Sequence, residues 1–149
     1  MALHPFIVTT QWPEGRSSVG TLSSEHLETA ISIPAEMDGP GVGTNPDEML
    51  LGAAATCYII TFAAMLERAG IKTEKLSMES KGLVDVTNGV FTYKEIIHYP
   101  NLLLASSVTE KEEAKAMRLA DKAEKSCMIS RAVAGNISVS VHPAIRRFS

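Results

Sequence analysis

Residues 43–66 read GTNPDEMLLGAAATCYIITFAAML, and this stretch decides the fold. It opens with the residues of a helix start, because Thr44 or Asn45 can cap the first turn and Pro46 suits the first helical position. From residue 49 to residue 66 no side chain is charged. The pattern therefore predicts a long apolar helix that begins at Pro46 and ends near Ala69.

An apolar helix of this kind either spans a membrane or lies inside a protein. Its charge-free part is close to the ~20 residues that a span needs. However, it is rich in alanine and glycine, and Asp47 and Glu48 precede it where a span typically has a basic cluster or an aromatic belt. A helix that is apolar on all sides is otherwise a buried central helix. We therefore predict a buried helix and no membrane partner.

Strands are predicted on both sides of this helix. Alternating apolar residues bounded by turn signals place three strands before it, at residues 6–12, 19–22 and 27–33. After it, residues 75–87 and 90–104 flank the pair Asn88-Gly89, which is a strong hairpin signal. These two segments are expected to form one long antiparallel hairpin.

A second helix and a last strand complete the pattern. Thr109 can cap this helix, and its small apolar residues form a stripe that is expected to face the core: Ala114, Met117, Ala120 and Ala123. Residues 137–141 alternate as a strand does. The order βββ-α-ββ-α-β predicts an α+β fold with a mostly antiparallel sheet, in a single domain over residues 1–149. One further helix is little cover for the apolar helix, so a second subunit is expected to help to enclose it.

The net charge and the expected cellular compartment limit the classes of function that this chain can have. The 149 residues carry a net charge of −3, which gives no electrostatic case for a nucleic-acid partner. The first residues lack the basic and then apolar order of a signal peptide, so a cytoplasmic location is expected. Disulfides that persist in that compartment are usually catalytic or redox-sensing. With two cysteines in the chain, a disulfide within it can only join Cys57 and Cys127.

The two cysteines can also have a purely structural role, without any reaction at their thiols. A free cysteine is often a small buried hydrophobe, and Cys57 lies in the middle of the apolar helix. To react near neutral pH, its thiol would need a cation that lowers its pKa from ~8.5. There is no C-x-x-C motif, and the four histidines have no metal-ligand spacing, so no metal and no cofactor are predicted. From the residues alone, buried filler and a redox pair both stay open.

Two segments together resemble the OsmC/Ohr family of organic hydroperoxide reductases. Residues 43–57 resemble the family's G-T-N-P-E-x-L stretch, which small residues and then the peroxide-attacking cysteine follow. Residues 127–137 resemble its C-x-x-S-x(4)-G-N-I segment around the resolving cysteine. The order of predicted elements also matches, so the resemblance covers nearly the whole chain.

The resemblance implies a peroxidase that reduces organic hydroperoxides, and hydrogen peroxide as a further candidate, in an antioxidant response to oxidative stress. Cys57 would attack the peroxide and become a sulfenic acid, and Cys127 would condense with it to a disulfide. An external dithiol, such as a lipoyl-type one, would then reduce that disulfide. The family also implies an intertwined homodimer with the apolar helix at its centre, which would supply the missing cover.

The resemblance supplies the cation as well. The arginine that activates the thiol in the family lies in a position similar to Arg16, and the carboxylate that holds this arginine corresponds to Asp47. The family has Glu where this chain has Asp47, and Asp is one methylene shorter. On a continuous helix Asp47 lies about 80° around the axis from Cys57, whereas Glu48 lies nearly opposite. We therefore expect Asp47 to hold Arg16, although helix-dipole complementation would explain both carboxylates equally well.

A second class of function stays open beside the enzyme. On the same fold, the protein could sense redox state or bind a small ligand in an apolar pocket, without efficient turnover. A third reading keeps both cysteines as structural filler. Survival of both thiols in stoichiometric peroxide would exclude the enzyme, and their oxidation would exclude the structural reading.

Overall fold

The computed structural model describes all 149 residues as an α+β fold, which confirms the predicted class. The chain forms two compact units, residues 1–49 and residues 50–149. Two main helices and two sheets account for most of the structure, and each sheet lies within one unit. The two units are described in turn.

The first unit is a small antiparallel sheet followed by the loop that leads to the long helix. Strands β1 (Thr9–Gln11), β2 (Gly20–Ser23) and β3 (Glu28–Ile31) pair in the order β1-β2-β3. Strand β1 is shorter than the predicted 6–12, because it pairs with β2 only at residues 9–11 and the three residues before them are exposed. A 3-10 turn, Ala35–Met37, follows β3.

The loop before the helix returns to strand β3. Gly43 has a φ of 71°, and a Cβ at this position would collide with the carbonyl of Ala30. This close approach lets the backbone N–H of Thr44 donate to Ala30 at 2.9 Å, while the N–H of Ser32 donates to Thr44 at 3.1 Å. Asn45 is the residue that caps the helix, since its Oδ1 accepts the N–H of Glu48 at 2.9 Å. The G-T-N-P stretch therefore both pairs with the end of strand β3 and caps the long helix.

Helix α1 (Pro46–Arg68) begins at the predicted residue and ends one residue before the predicted Ala69. Its buried residues, spaced four apart, are Ala54, Tyr58, Phe62 and Leu66. The opposite face is exposed within this chain, and Ile60 on it is 67% exposed. By length and composition α1 could cross a membrane, but its buried face packs into the core of the second unit, as a core helix does. One chain therefore covers one side of α1 only, and its cover by a second subunit stays a prediction.

A long hairpin is the scaffold of the second unit. Strands β4 (Thr73–Thr87) and β5 (Val90–Leu104) are antiparallel, and the turn between them uses positive φ angles at Asn88 and Gly89, as the pair predicts. Strands β6 (Ser138–Val141) and β7 (Ala144–Arg147) both pair with β5 in parallel. β7 was not expected from the sequence, and the predicted strand 137–141 corresponds to β6.

Helix α2 (Glu110–Ser126) packs against the core with a face that includes Ala120 and Ala123 of the predicted stripe but not its first two members. Thr109 caps it as expected, with a capping box to Glu112. Its buried alanines are Ala116, Ala120 and Ala123, whereas Ala114 and Met117 of the predicted stripe are exposed. The error has a physical reason, because residues 116, 120 and 123 repeat at four and then three positions and form a stripe of their own. A short helix α3 (Met128–Val133) follows where only an irregular turn was expected.

Candidate active site

The two cysteines of the chain meet in the second unit. Cys57 lies midway along α1 and is half-buried, whereas Cys127 lies at the junction of α2 and α3 and is fully buried. Both are free thiols. The two thiols lie within hydrogen-bonding reach of each other, although 69 residues lie between them in the sequence. The two thiols are thus placed for chemistry on each other.

Backbone geometry holds Cys127 at this junction. Its N–H donates to the carbonyl oxygens of Ala123 at 2.9 Å and Glu124 at 3.3 Å, which closes the end of α2. Its own φ and ψ, −64° and 124°, are extended, so the chain leaves the first helix here. Its carbonyl then accepts the N–H of Arg131 at 3.0 Å in the first turn of α3. Because Cys127 ends one helix and begins the next, its backbone is held on both sides.

The surroundings of Cys57 favour its thiolate. Burial alone would raise the pKa of this thiol, but the hydrogen bond from Cys127 opposes it. The backbone amides of Ile129 and Met128 and the hydroxyl of Thr61 add to that opposition, and the net result is a pKa below the ordinary value. The Cys127 thiol and the two backbone amides can donate to the sulfur, and a donor stabilises the charged form. A cation is therefore not the only means by which this chain can activate Cys57.

The surroundings of Cys127 favour its protonated form. Burial raises the pKa of Cys127 most, and the hydrogen bond to Cys57 raises it further, because the bond needs the proton to stay on Cys127. The amides of Ser130 and Ile129 and the hydroxyl of Ser130 act in the opposite direction without reversing the shift. In this pair, Cys57 therefore ionises more readily, and Cys127 keeps its proton as a hydrogen-bond donor.

Arg16 and Asp47 belong to the first unit. The guanidinium of Arg16 is exposed and donates to the carbonyl oxygens of Met37 at 2.7 Å and Asp38 at 3.0 Å, at the end of the 3-10 turn. Asp47 is half-buried in the first turn of α1. Glu48, the other carboxylate considered, accepts a hydrogen bond from the hydroxyl of Thr44 at 2.8 Å. A pair of Arg16 with Asp47, and the approach of Arg16 to Cys57, stay predictions.

Two hydroxyl groups beside the thiols were not singled out from the sequence. Thr61 lies one helical turn after Cys57, and its Oγ1 donates to the carbonyl of Cys57 at 2.7 Å. Ser130 lies three residues after Cys127 and is 4% exposed. The spacing could have revealed both, since residues four apart on a helix are neighbours and the third helical residue faces the cap.

A buried aromatic pair supports α1 next to the thiols. The ring of Tyr58 stacks on His98 with centroids 5.0 Å apart, and its hydroxyl donates to the carbonyl of Ala120 at 2.9 Å. His98 is fully buried, its Nδ1 lies 2.7 Å from the hydroxyl of Ser80, and its Nε2 has no hydrogen-bond partner. Burial lowers the pKa of His98. This stack fixes the turn of α1 that contains Cys57.

Known proteins share both the fold and the sequence pattern. The YmaD protein of Bacillus subtilis is 57% identical over 146 residues, which cover 98% of this chain and 97% of that protein. An organic hydroperoxide resistance protein of Xanthomonas axonopodis pv. citri is 28% identical over 130 residues, 85% of this chain and 86% of that protein.

A solved structure and a family model agree with these relatives. The crystal structure of an organic hydroperoxide resistance protein, OsmC, from Legionella pneumophila has a TM-score of 0.77, with 22% identity over 97% of this chain and 99% of that one. The model of the OsmC-like protein family matches residues 39–142, more than two thirds of the chain and the part that contains both cysteines. The chain therefore belongs to the OsmC-like protein family.

Proposed function

We propose that this protein is a thiol-dependent peroxidase that reduces organic hydroperoxides, and hydrogen peroxide as a smaller substrate, to the corresponding alcohols or water. The observation that carries the proposal is the approach of the thiols of Cys57 and Cys127 to within hydrogen-bonding reach of each other. Relatives with the name organic hydroperoxide resistance protein support the choice of substrate.

Cys57 is the attacking thiol in this proposal. Its thiolate attacks one peroxide oxygen, the O–O bond breaks, and the other oxygen leaves as an alkoxide that takes up a proton. The products are an alcohol and a sulfenic acid on Cys57. The lowered pKa of Cys57 supports this assignment, because the thiolate is the nucleophile and a half-buried sulfur is accessible to a peroxide.

Cys127 is the resolving thiol. Its sulfur attacks the sulfur of the sulfenic acid, the S–O bond breaks, the oxygen leaves as water, and a disulfide joins Cys57 and Cys127. A contact that already exists in the reduced protein supports this step, because a disulfide needs Cα atoms ~4.4–6.8 Å apart and little rearrangement is then required. An external dithiol of the lipoyl type gives two electrons to the disulfide and becomes oxidised itself.

The remaining parts of the proposal concern Arg16, Asp47 and the assembly. The guanidinium of Arg16 would add a permanent positive charge beside the thiolate and donate to the peroxide oxygens, and Asp47 would orient it. Two copies of this single-domain chain would form a cytoplasmic homodimer. The exposed face of α1, with Ile60 at 67% exposure, supports such cover, because large exposed apolar surface marks interaction sites.

The proposal is tested by counting thiols. One equivalent of cumene hydroperoxide is added to the reduced protein, and free thiols are measured beside Cys57→Ser and Cys127→Ser. We expect rapid loss of two thiols in the unmutated protein, no loss in Cys57→Ser, and one sulfenic acid in Cys127→Ser. Survival of both thiols in the unmutated protein would refute the proposed peroxidase activity. It would favour a protein whose thiols do not react with peroxide and which binds a small ligand.

A further inference from the structure

The hydroxyl of Ser130 is a buried polar group without a hydrogen-bond partner. Ser130 is 4% exposed, and its Oγ makes no hydrogen bond. Buried polar atoms are nearly always paired, so each exception calls for a reason. A serine in a helix usually finds a carbonyl of the preceding turn, and Ser130 does not.

The position of Ser130 explains what its hydroxyl faces. Cys127 is the residue that precedes α3, and Ser130 is the third residue of that helix. In a capping box the third helical side chain reaches back to the backbone N–H of the capping residue. Here that N–H is already occupied, because it donates to Ala123 and Glu124 at the end of α2. The remaining polar atom of the capping side chain is the sulfur of Cys127, and the hydroxyl of Ser130 is one of the groups that lower the pKa of that thiol.

We infer that Ser130 is a positioning residue that stabilises the Cys127 thiolate when Cys127 must react. The inference rests on the proposed function and deepens it. In the resolving step, the electron pair of the Cys127 thiolate forms the S–S bond and the S–O bond of the Cys57 sulfenic acid breaks. Its oxygen takes up a proton and leaves as water. A fully buried sulfur has no water to solvate its negative charge, so a hydroxyl that donates to it lowers the energy of the reacting form.

The same donor serves the reduction of the disulfide. When the external dithiol attacks the sulfur of Cys57, the S–S bond breaks and Cys127 leaves as a thiolate with the bonding electron pair. A thiol with a lower pKa leaves faster. Ser130 therefore assists Cys127 both as a nucleophile and as a leaving group, without contact to the peroxide. The raised pKa of Cys127 fits a site where burial is strong and this donor is one of few groups that oppose it.

A first experiment tests the inference without peroxide. In a Cys57→Ser background Cys127 is the single thiol, and its ionisation is followed by the ultraviolet absorbance of the thiolate against pH. We expect Ser130→Ala to raise the pKa of Cys127 by roughly half to one unit, the effect of one hydrogen bond to a charged group. Ser130→Thr, which keeps the hydroxyl, should restore the original value. An unchanged titration in Ser130→Ala would overturn the inference.

A second experiment measures the resolving step. The reduced protein with both cysteines is mixed with one equivalent of cumene hydroperoxide, and the Cys57 sulfenic acid is trapped with dimedone at increasing times. In Ser130→Ala we expect about fivefold to tenfold slower conversion to the disulfide at neutral pH and a pH profile displaced upward. Slower conversion without displacement of the profile would mean a structural role and would also overturn the inference.

The outcomes separate this inference from the proposed function. If the unmutated protein forms neither sulfenic acid nor disulfide, the peroxidase fails, whereas the titration in the Cys57→Ser background still decides on Ser130. If the unmutated protein forms both, and the Ser130→Ala variant reacts at the same rates, the inference about Ser130 is refuted while the proposed peroxidase function stands. If circular dichroism shows that Ser130→Ala does not fold, Ser130→Gly is used instead in both experiments. The same outcomes then decide on the inference.

Discussion

Replacement of Cys127 by alanine should raise the pKa of Cys57, apart from its effect on disulfide formation. Alanine removes a thiol that donates to the Cys57 sulfur, and this is the largest of the contributions that lower the pKa of Cys57. A hydrogen bond to a charged group contributes ~1.5–3 kcal/mol. A thiol is a weak donor and Cys57 is half-buried, so we take the lower end, which corresponds to roughly one pKa unit.

Cys127→Ser is the matched control for this prediction. Serine also prevents the disulfide, but its hydroxyl can still donate to the thiolate of Cys57. Each variant has a single thiol, so the ultraviolet absorbance of the thiolate against pH reports Cys57 alone. We expect the alanine variant to ionise about one pH unit above the serine variant. Its sulfenic acid should also form more slowly with peroxide below its new pKa.

One result would refute the reasoning. If the alanine and serine variants ionise at the same pH, Cys127 does not stabilise the Cys57 thiolate. The amides of Ile129 and Met128, the hydroxyl of Thr61 or the guanidinium of Arg16 would then account for the activation. Because alanine leaves a small cavity in a buried position, circular dichroism and thermal unfolding should establish that both variants fold before they are titrated.

Three further predictions concern the scaffold of the site. Phe62→Ala should lower the free energy of unfolding by ~3–5 kcal/mol in denaturant titrations, because Phe62 is fully buried in the main core. The stability of the protein should fall as the pH drops below about 6.5. Burial lowers the pKa of His98, so the unfolded chain binds a proton at this residue more readily than the folded protein does. Denaturant titrations over this pH range should therefore show a smaller loss of stability for His98→Gln than for the unmutated protein. Gly43→Ala should also destabilise the protein, by more than ~1 kcal/mol in the same titration, since the φ of 71° and the carbonyl of Ala30 exclude a Cβ; an unchanged midpoint would contradict the proposed docking of this loop.

The parts of the fold that local signals determine were predictable. Helix α1 begins at Pro46 because Asn45 caps it, and the hairpin turns at Asn88-Gly89 because that pair accepts positive φ angles. Strand β7 could not be predicted in this way, since it depends on parallel pairing with a strand about forty residues earlier. Its sequence, AIRR, has no alternation that distinguishes it from a polar tail.

The candidate site shows the same division. The sequence separates Cys57 from Cys127, and their contact arises only from the packing of α1 against the α2–α3 junction. The expectation of a cation at Cys57 followed from an isolated helical thiol, and the place of Arg16 beside it stays a prediction. Hydrogen-bond donors from a distant segment, among them the amide of Ile129, lower the pKa of Cys57 in the folded chain. Tertiary structure supplies these donors, so no local pattern reveals them.

The hydrogen bond between the thiols also orders the two steps of the proposed cycle. In the reduced protein this bond lowers the pKa of Cys57 and raises that of Cys127, so one proton stays on Cys127 while Cys57 is the nucleophile. Once Cys57 has become a sulfenic acid, its thiolate no longer accepts the bond, and this contribution to the raised pKa of Cys127 disappears. The hydroxyl of Ser130 remains. We therefore expect Cys127 to ionise more readily after Cys57 has reacted than before it, which would direct peroxide to Cys57 and leave Cys127 for the resolving step.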